Sequence, residues 1–239
     1  MASNEIAVDL QLLGTFRLRA GGVPLRIVPA SQRLLAFLAL LEHPVPRQAV
    51  AAALWPRATV ARAASCLRST LWRLVTPPHQ LVTADTEVLT VAPSVRVDVV
   101  QVRHFATGIA HHHAGTAPEP GVLAALTMDL LPGWEESWVQ TERDWFRQLR
   151  LRTLETLSER FRLNGDHLRA HEAALAAVHG DPLRESAHRR LIELHLADGN
   201  PAEAVRQFRS YRDLLRTELG LVPSPEIHRL VQVATSAGR

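Results

Sequence analysis

From Pro132 onward no segment alternates with the two-residue period of a strand. Apolar residues recur instead at helical spacing, in stretches of about 14–20 residues broken by glycine or proline. Two of those breaks match. Gly165-Asp166 and Gly199-Asn200 stand 34 residues apart, and Ala170 and Ala204 each follow their glycine by five positions. A small residue at the same step of two successive units lets paired helices approach closely. Helix pairs repeating at this period, that of tetratricopeptide units, cannot bury their faces alone and must stack on one another. The C-terminal part is therefore predicted to be all-helical, with short loops and antiparallel neighbours. Gly180 is expected to close one helix; Pro182 should open the next in its first turn and Gly199 should end it.

The beginning of the chain follows a different pattern. Residues 6–28 read as strands: "TFRLRAGGVPLRI" puts Phe16 and Leu18 on one face and Arg17 and Arg19 on the other, with a turn at Ala20-Gly21-Gly22. The period then changes. "SQRLLAFLALLEHP" is apolar nearly all round, a buried helix with Ser31 as its expected N-cap. "RQAVAAALWP" is a short second helix stopped by Pro56, and Ala61 to Val75 form a third. Two short strands follow, near Leu81–Thr83 and Val88–Val91, joined by a turn at "ADTE". Strands, three helices and a hairpin, with little chain between the second and third helices, describe a winged helix-turn-helix. The predicted fold class is thus α-rich α+β: an N-terminal winged helix-turn-helix, then an all-α tetratricopeptide-like domain. The boundary is placed between residues 98 and 99, giving domains 1–98 and 99–239, with a flexible loop at 108–121.

The third helix, "ARAASCLRSTLWRL", has two unlike sides. At 100° per residue Ala64, Leu67, Leu71 and Leu74 make a core stripe, and Arg62, Ser65, Ser69 and Trp72 lie roughly opposite, flanked by Arg68 and Arg73. Arginine forks onto guanine or grips phosphate, and hydroxyls bond phosphates or base edges. Arg62, Ser65, Arg68, Ser69, Trp72 and Arg73 are therefore the candidate DNA-binding residues. For Trp72 two readings stand: packing on sugars or a thymine methyl, or burial beneath the wing. Arg47 joins the set, because a cation at the start of the second helix adds its charge to the helix N-terminal dipole at a backbone phosphate.

Charge supports a polyanion partner. From Leu10 to Ala84 there are nine arginines and one acid, Glu42, a balance of +8, while the whole chain carries +3, which leaves −5 for the rest. All 27 basic residues are arginine, so no phosphate-binding loop with its obligatory lysine can form, and no GxSxG, HExxH or CxxC pattern occurs. No enzymatic activity and no cofactor are expected. "HHHAGTAPEPG" has no cysteine or carboxylate at ligand spacing and reads as a polar loop, not a metal site. One cysteine, no secretory signal and no long apolar run suggest a cytoplasmic, nucleoid-associated protein with no membrane partner. Among the aromatics, Trp134, Trp138, Trp145 and Phe161 are candidate protein-contact anchors. Trp138 and Trp145, seven apart on one helical face, read more readily as core.

Two C-terminal strings, "WVQTERDWFRQLRLRTLETLSERF" and "DPLRESAHRRLIELHLADGNPAEAVRQFRSYRDLLRTELGLVPSPEIHRL", resemble the bacterial transcriptional activator domain. "LLGTFRLRAGGVPLRI", Leu54-Trp55, "CLRSTLWRL" and "VDVVQVRHF" are similar to the response-regulator type of winged helix that precedes it. Together they resemble the Streptomyces antibiotic regulatory protein family, in particular its smaller, ATPase-free members. The resemblance implies a transcription activator of a secondary-metabolite cluster. Such an activator binds double-stranded promoter DNA at direct repeats overlapping the −35 region, and recruits RNA polymerase holoenzyme through its sigma factor and core subunits. Self-association as a homodimer on two half-sites fits the helical domain. A repressor on the same scaffold, or a protein-interaction scaffold that does not bind DNA, are the alternatives. The Gly-Tyr pair common in the family's wing is absent from "TEVLTVAP".

Overall fold

The computed structural model describes residues 7–74, 79–110 and 120–236. They form two compact units, Met1–Thr107 with Thr116–Phe146, and Gly108–Gly115 with Arg147–Arg239.

The first unit opens with β1 (Val8–Gln11), β2 (Arg17–Ala20) and β3 (Val23–Pro24), paired antiparallel with Leu10 opposite Leu18 and Ala20 opposite Val23. In β2 the arginines 17 and 19 are exposed while Leu18 and Ala20 are buried, the alternation that the sequence predicts. Gly21 and Gly22 both take positive φ (55° and 83°). Two residues of that kind give a turn whose twist matches the flanking strands, and glycine adopts it without strain. The helices α1 (Pro29–Leu41), α2 (Arg47–Leu54) and α3 (Val60–Arg73) follow, with the two-residue strand β4 (Val45–Pro46) between the first two. The end of α3 expected at Val75 lies outside the described residues. In α1 the side chains of Leu34, Leu35, Leu38 and Leu40 are buried. Its cap is not Ser31. Val28 holds that place and Pro29 is the first helical residue, with Ser31 buried inside the first turn. Proline there has no N–H to satisfy and a φ already suited to a helix. A hairpin of β5 (Val82–Ala84) and β6 (Val88–Val91) adds β4 as a third strand, Val45 facing Leu89.

One strand escapes the sequence pattern. β7 (Val95–Val97) lies parallel to β1, with Leu10 opposite Val97, so the first sheet runs β3-β2-β1-β7. It is three residues long, too short to show a period. Helix α4 (Asp98–Ala110) begins at its end. The Asp98 carboxylate accepts from the backbone N–H of Leu12 (2.9 Å), Leu13 (3.0 Å) and Val99 (2.7 Å). Burial nevertheless pushes that carboxyl above its ordinary range, against the pull of these donors.

More of the chain packs with the first unit than residues 1–98. α5 (Pro120–Leu126) and the start of α6 (Ser137–Leu163) belong to it. Trp134 stacks on Phe16 (centroids 6.0 Å apart), and Trp138 meets Phe37 edge-on (5.2 Å). Arg103 bridges Glu42 (2.7 Å) and Glu142 (2.6 Å) and lies over the Trp145 ring. Of the expected core pair, Trp138 is packed and Trp145 is half exposed (51%). Residues 111–119, with His111 to His113 and most of the loop expected at 108–121, lie outside the described residues. Its ends are helical, 108–110 closing α4 and 120–121 opening α5.

The second unit holds the later part of α6, then α7 (His167–Gly180), α8 (Glu185–Ala197), α9 (Pro201–Leu219) and α10 (Pro225–Ser236). The matched breaks behave alike: Gly165 and Gly199 have φ of 76° and 71°, and Ala170 and Ala204 are fully buried. Helix α8 starts later than expected. Arg184 occupies its cap position, so Pro182 lies in the preceding turn and not in the helix. A core of Ile192, Phe208, Tyr211, Leu215 and Ile227 joins α8, α9 and α10. Among the described residues no helix is long and apolar enough to cross a membrane.

Candidate nucleic-acid interface

Helix α3 is capped by Thr59, whose hydroxyl accepts from the Arg62 N–H at 3.4 Å. No acidic side chain occupies its first turn. The buried stripe is Ala63, Leu67 and Thr70, continued by Leu74. It is rotated from the expected one: Ala64 and Leu71 are only half-buried. The sequence misplaces it because Thr70 looks polar. Its hydroxyl donates to the Cys66 carbonyl at 2.8 Å, one turn back, so its methyl can enter the core without leaving a polar group unsatisfied.

Opposite that stripe Arg62, Arg68, Ser69, Trp72 and Arg73 are exposed, and Ser65 is half-buried. Arg62, Ser65, Ser69 and Trp72 fall within about 80° of the helix circumference. Trp72 is 78% exposed, so it does not tuck beneath the hairpin as core. The guanidinium groups of Arg62, Arg68 and Arg73 make no hydrogen bond or ion pair with any described residue. Three unneutralised cations and an exposed indole on one helix form a surface suited to a polyanion with flat, stackable groups.

Arg47 is placed differently. It is the first residue of α2, and its Nε donates to the Asp85 carbonyl at 3.1 Å. Its own backbone N–H is taken by the Glu87 carbonyl at 2.9 Å. The hairpin turn thus grips the start of α2, a long-range tie that no local pattern announces. The terminal nitrogens of Arg47 remain without a partner among the described residues. The turn itself carries exposed Asp85 and Glu87 and no cation, so the positive surface belongs to α3 and the start of α2, not to the hairpin tip.

Residues 122–233 match the family model of the bacterial transcriptional activator domain. No curated protein matches the sequence. Among solved structures, Mycobacterium tuberculosis EmbR in complex with a low affinity phosphopeptide matches 98% of this chain with a TM-score of 0.70 and 18% identity. The chain covers 66% of the length of that EmbR chain. The architecture described above, a small winged helix-turn-helix followed by stacked helices, is therefore a fold already seen in EmbR.

Proposed function

We infer that this chain, whose residues 122–233 match the model of the bacterial transcriptional activator domain, is a DNA-binding transcription activator that works on promoters and not an enzyme. Helix α3 enters the major groove, with Arg62, Ser65, Arg68, Ser69, Trp72 and Arg73 toward the duplex. Arg47 holds a backbone phosphate at the start of α2. The protein binds repeats near the −35 region, as a homodimer on two half-sites, and recruits RNA polymerase holoenzyme. The resemblance to Streptomyces antibiotic regulatory proteins makes a secondary-metabolite gene cluster its target and the nucleoid its place of action. One observation carries this reading: the exposed side of the third helix holds three guanidinium groups that have no partner among the described residues.

Footprinting on the DNA upstream of the neighbouring operons, with wild type and Arg68→Ala, tests it. If Arg68 reads a base, the substitution costs about 1–3 kcal/mol and relaxes preference at one position. If it touches phosphate, the loss is uniform across sequences and the salt dependence becomes shallower. Absence of any footprint would overturn DNA binding and favour an interaction scaffold. Run-off transcription with purified holoenzyme decides the direction: more transcript is expected, and less would mark a repressor.

A further inference from the structure

A cavity of about 530 Å³ opens between α2 and α3. Trp55 and Leu67 give it an apolar wall, and Arg47, Gln48, Arg68 and Thr86 supply its polar groups. No acidic side chain lines it. Pockets of about 300–1,000 Å³ that are mostly apolar, with a few convergent polar groups, are the usual shape of a small-molecule site. Two neighbouring helices of a small domain ordinarily fill such a space with their own side chains. Here alanines face it from both helices, Ala51 and Ala52 on α2 and Ala63 and Ala64 on α3, and leave it open.

We propose that this cavity binds a flat, largely apolar organic anion, seated against Trp55 with its charged end on Arg68 and Arg47. The charge on its lining argues for an anion: the Arg68 guanidinium has no partner among the described residues, and Arg47 spends only its Nε on the Asp85 carbonyl. The apolar wall argues against inorganic phosphate alone, which gains nothing from it. Arg68 belongs to both the cavity and the exposed side of α3, so the ligand and DNA compete for one side chain. That competition rests on the DNA-binding reading; occupancy of the cavity does not.

Two fluorescent probes test the site in the full chain. 1-Anilinonaphthalene-8-sulfonate carries an anionic group that N-phenyl-1-naphthylamine lacks, on nearly the same ring system. The sulfonate is expected to bind about tenfold more tightly, the effect of one charge-assisted contact. Arg68→Gln should erase that preference. Ala64→Phe should exclude both probes, and Ala52→Phe, at an exposed lining position, does the same without burdening the core; thermal melts confirm that each variant is folded. Operator duplex should weaken sulfonate binding. Equal affinity for the two probes, or unchanged binding in both filled variants, overturns the proposal. Probe binding that follows these variants in a protein that binds no duplex leaves the site standing and removes the DNA reading instead.

Discussion

Helix α3 and the helical unit use the same cation in opposite ways. On α3, Arg62, Arg68 and Arg73 are exposed and have no partner among the described residues. In the helical unit Arg147 is paired with Asp181, Arg184 with Glu155, Arg189 with Glu226, and Arg190 with Glu159 and Glu193. A guanidinium held by a carboxylate has its charge neutralised and its donors directed inward. One without a partner keeps both for another molecule. Net charge alone makes the stretch Leu10–Ala84 look basic and the rest of the chain acidic. The pairing shows that the cations of α3 are available while most of those of the helical unit already serve the fold.

The most forceful way to break this contrast is to remove the free cations together. Arg62, Arg68 and Arg73 all changed to Gln should lower operator affinity by about a hundredfold or more and flatten the salt dependence by about three phosphate contacts. The urea midpoint should stay where it is, since these exposed side chains hold no hydrogen bond or ion pair among the described residues. A large loss of stability would show that the arginines belong to the fold after all. The reverse experiment comes next. Arg184 donates from Nε to Glu155 at 2.7 Å, and the Ser186 hydroxyl donates to the same carboxylate at 2.6 Å. Both partners of the ion pair are largely shielded, with side chains 19% and 18% exposed. Glu155 holds the Arg184 guanidinium more firmly protonated than usual through that bond. Arg184→Ala should therefore cost about 1.5–3 kcal/mol in urea unfolding, and leave the operator affinity of the folded protein unchanged.

These two variants also mark what could be read from the residues alone. The third helix, its cations and the matched glycines were legible, because helical period and charge are local properties of a string. The 34-residue spacing placed Gly165 and Gly199 correctly because only a left-handed step ends each helix there. Pairing was not legible: Glu155 and Arg184 lie 29 positions apart, and nothing local distinguishes Arg184 from Arg68. The same limit hid β7, whose partner β1 is more than eighty residues away, and the hairpin's hold on Arg47. Thr70 misled the buried stripe by one step because its polarity is satisfied within its own helix. On α3 the exposed tryptophan gives a smaller test of the contrast. Trp72→Ala should leave stability within about 0.5 kcal/mol of wild type, and weaken operator binding by about 1 kcal/mol if the indole packs on the duplex. A loss of stability without a change in binding would return Trp72 to the fold.

The smallest effect expected lies in the helical unit, where a carboxylate is held by imidazoles instead of guanidinium. His171 Nε2 and His167 Nδ1 lie 2.7 Å and 2.6 Å from the two oxygens of Asp198, just beyond α8. The hydrogen bond from His171, and after it the one from His167, holds the Asp198 carboxyl below its ordinary value of 3.8. A carboxyl lowered in the folded state stabilises it at pH above the unfolded value, and that contribution disappears as the pH falls through the lowered one. Asp198→Asn cannot titrate. The stability difference between wild type and this variant should then shrink as the pH drops below about 4, when urea unfolding is followed at a series of pH values. A difference that persists into strong acid would mean that Asp198 acts by shape and not by charge. The pairing that separates this unit from the free arginines of α3 would then be partly steric.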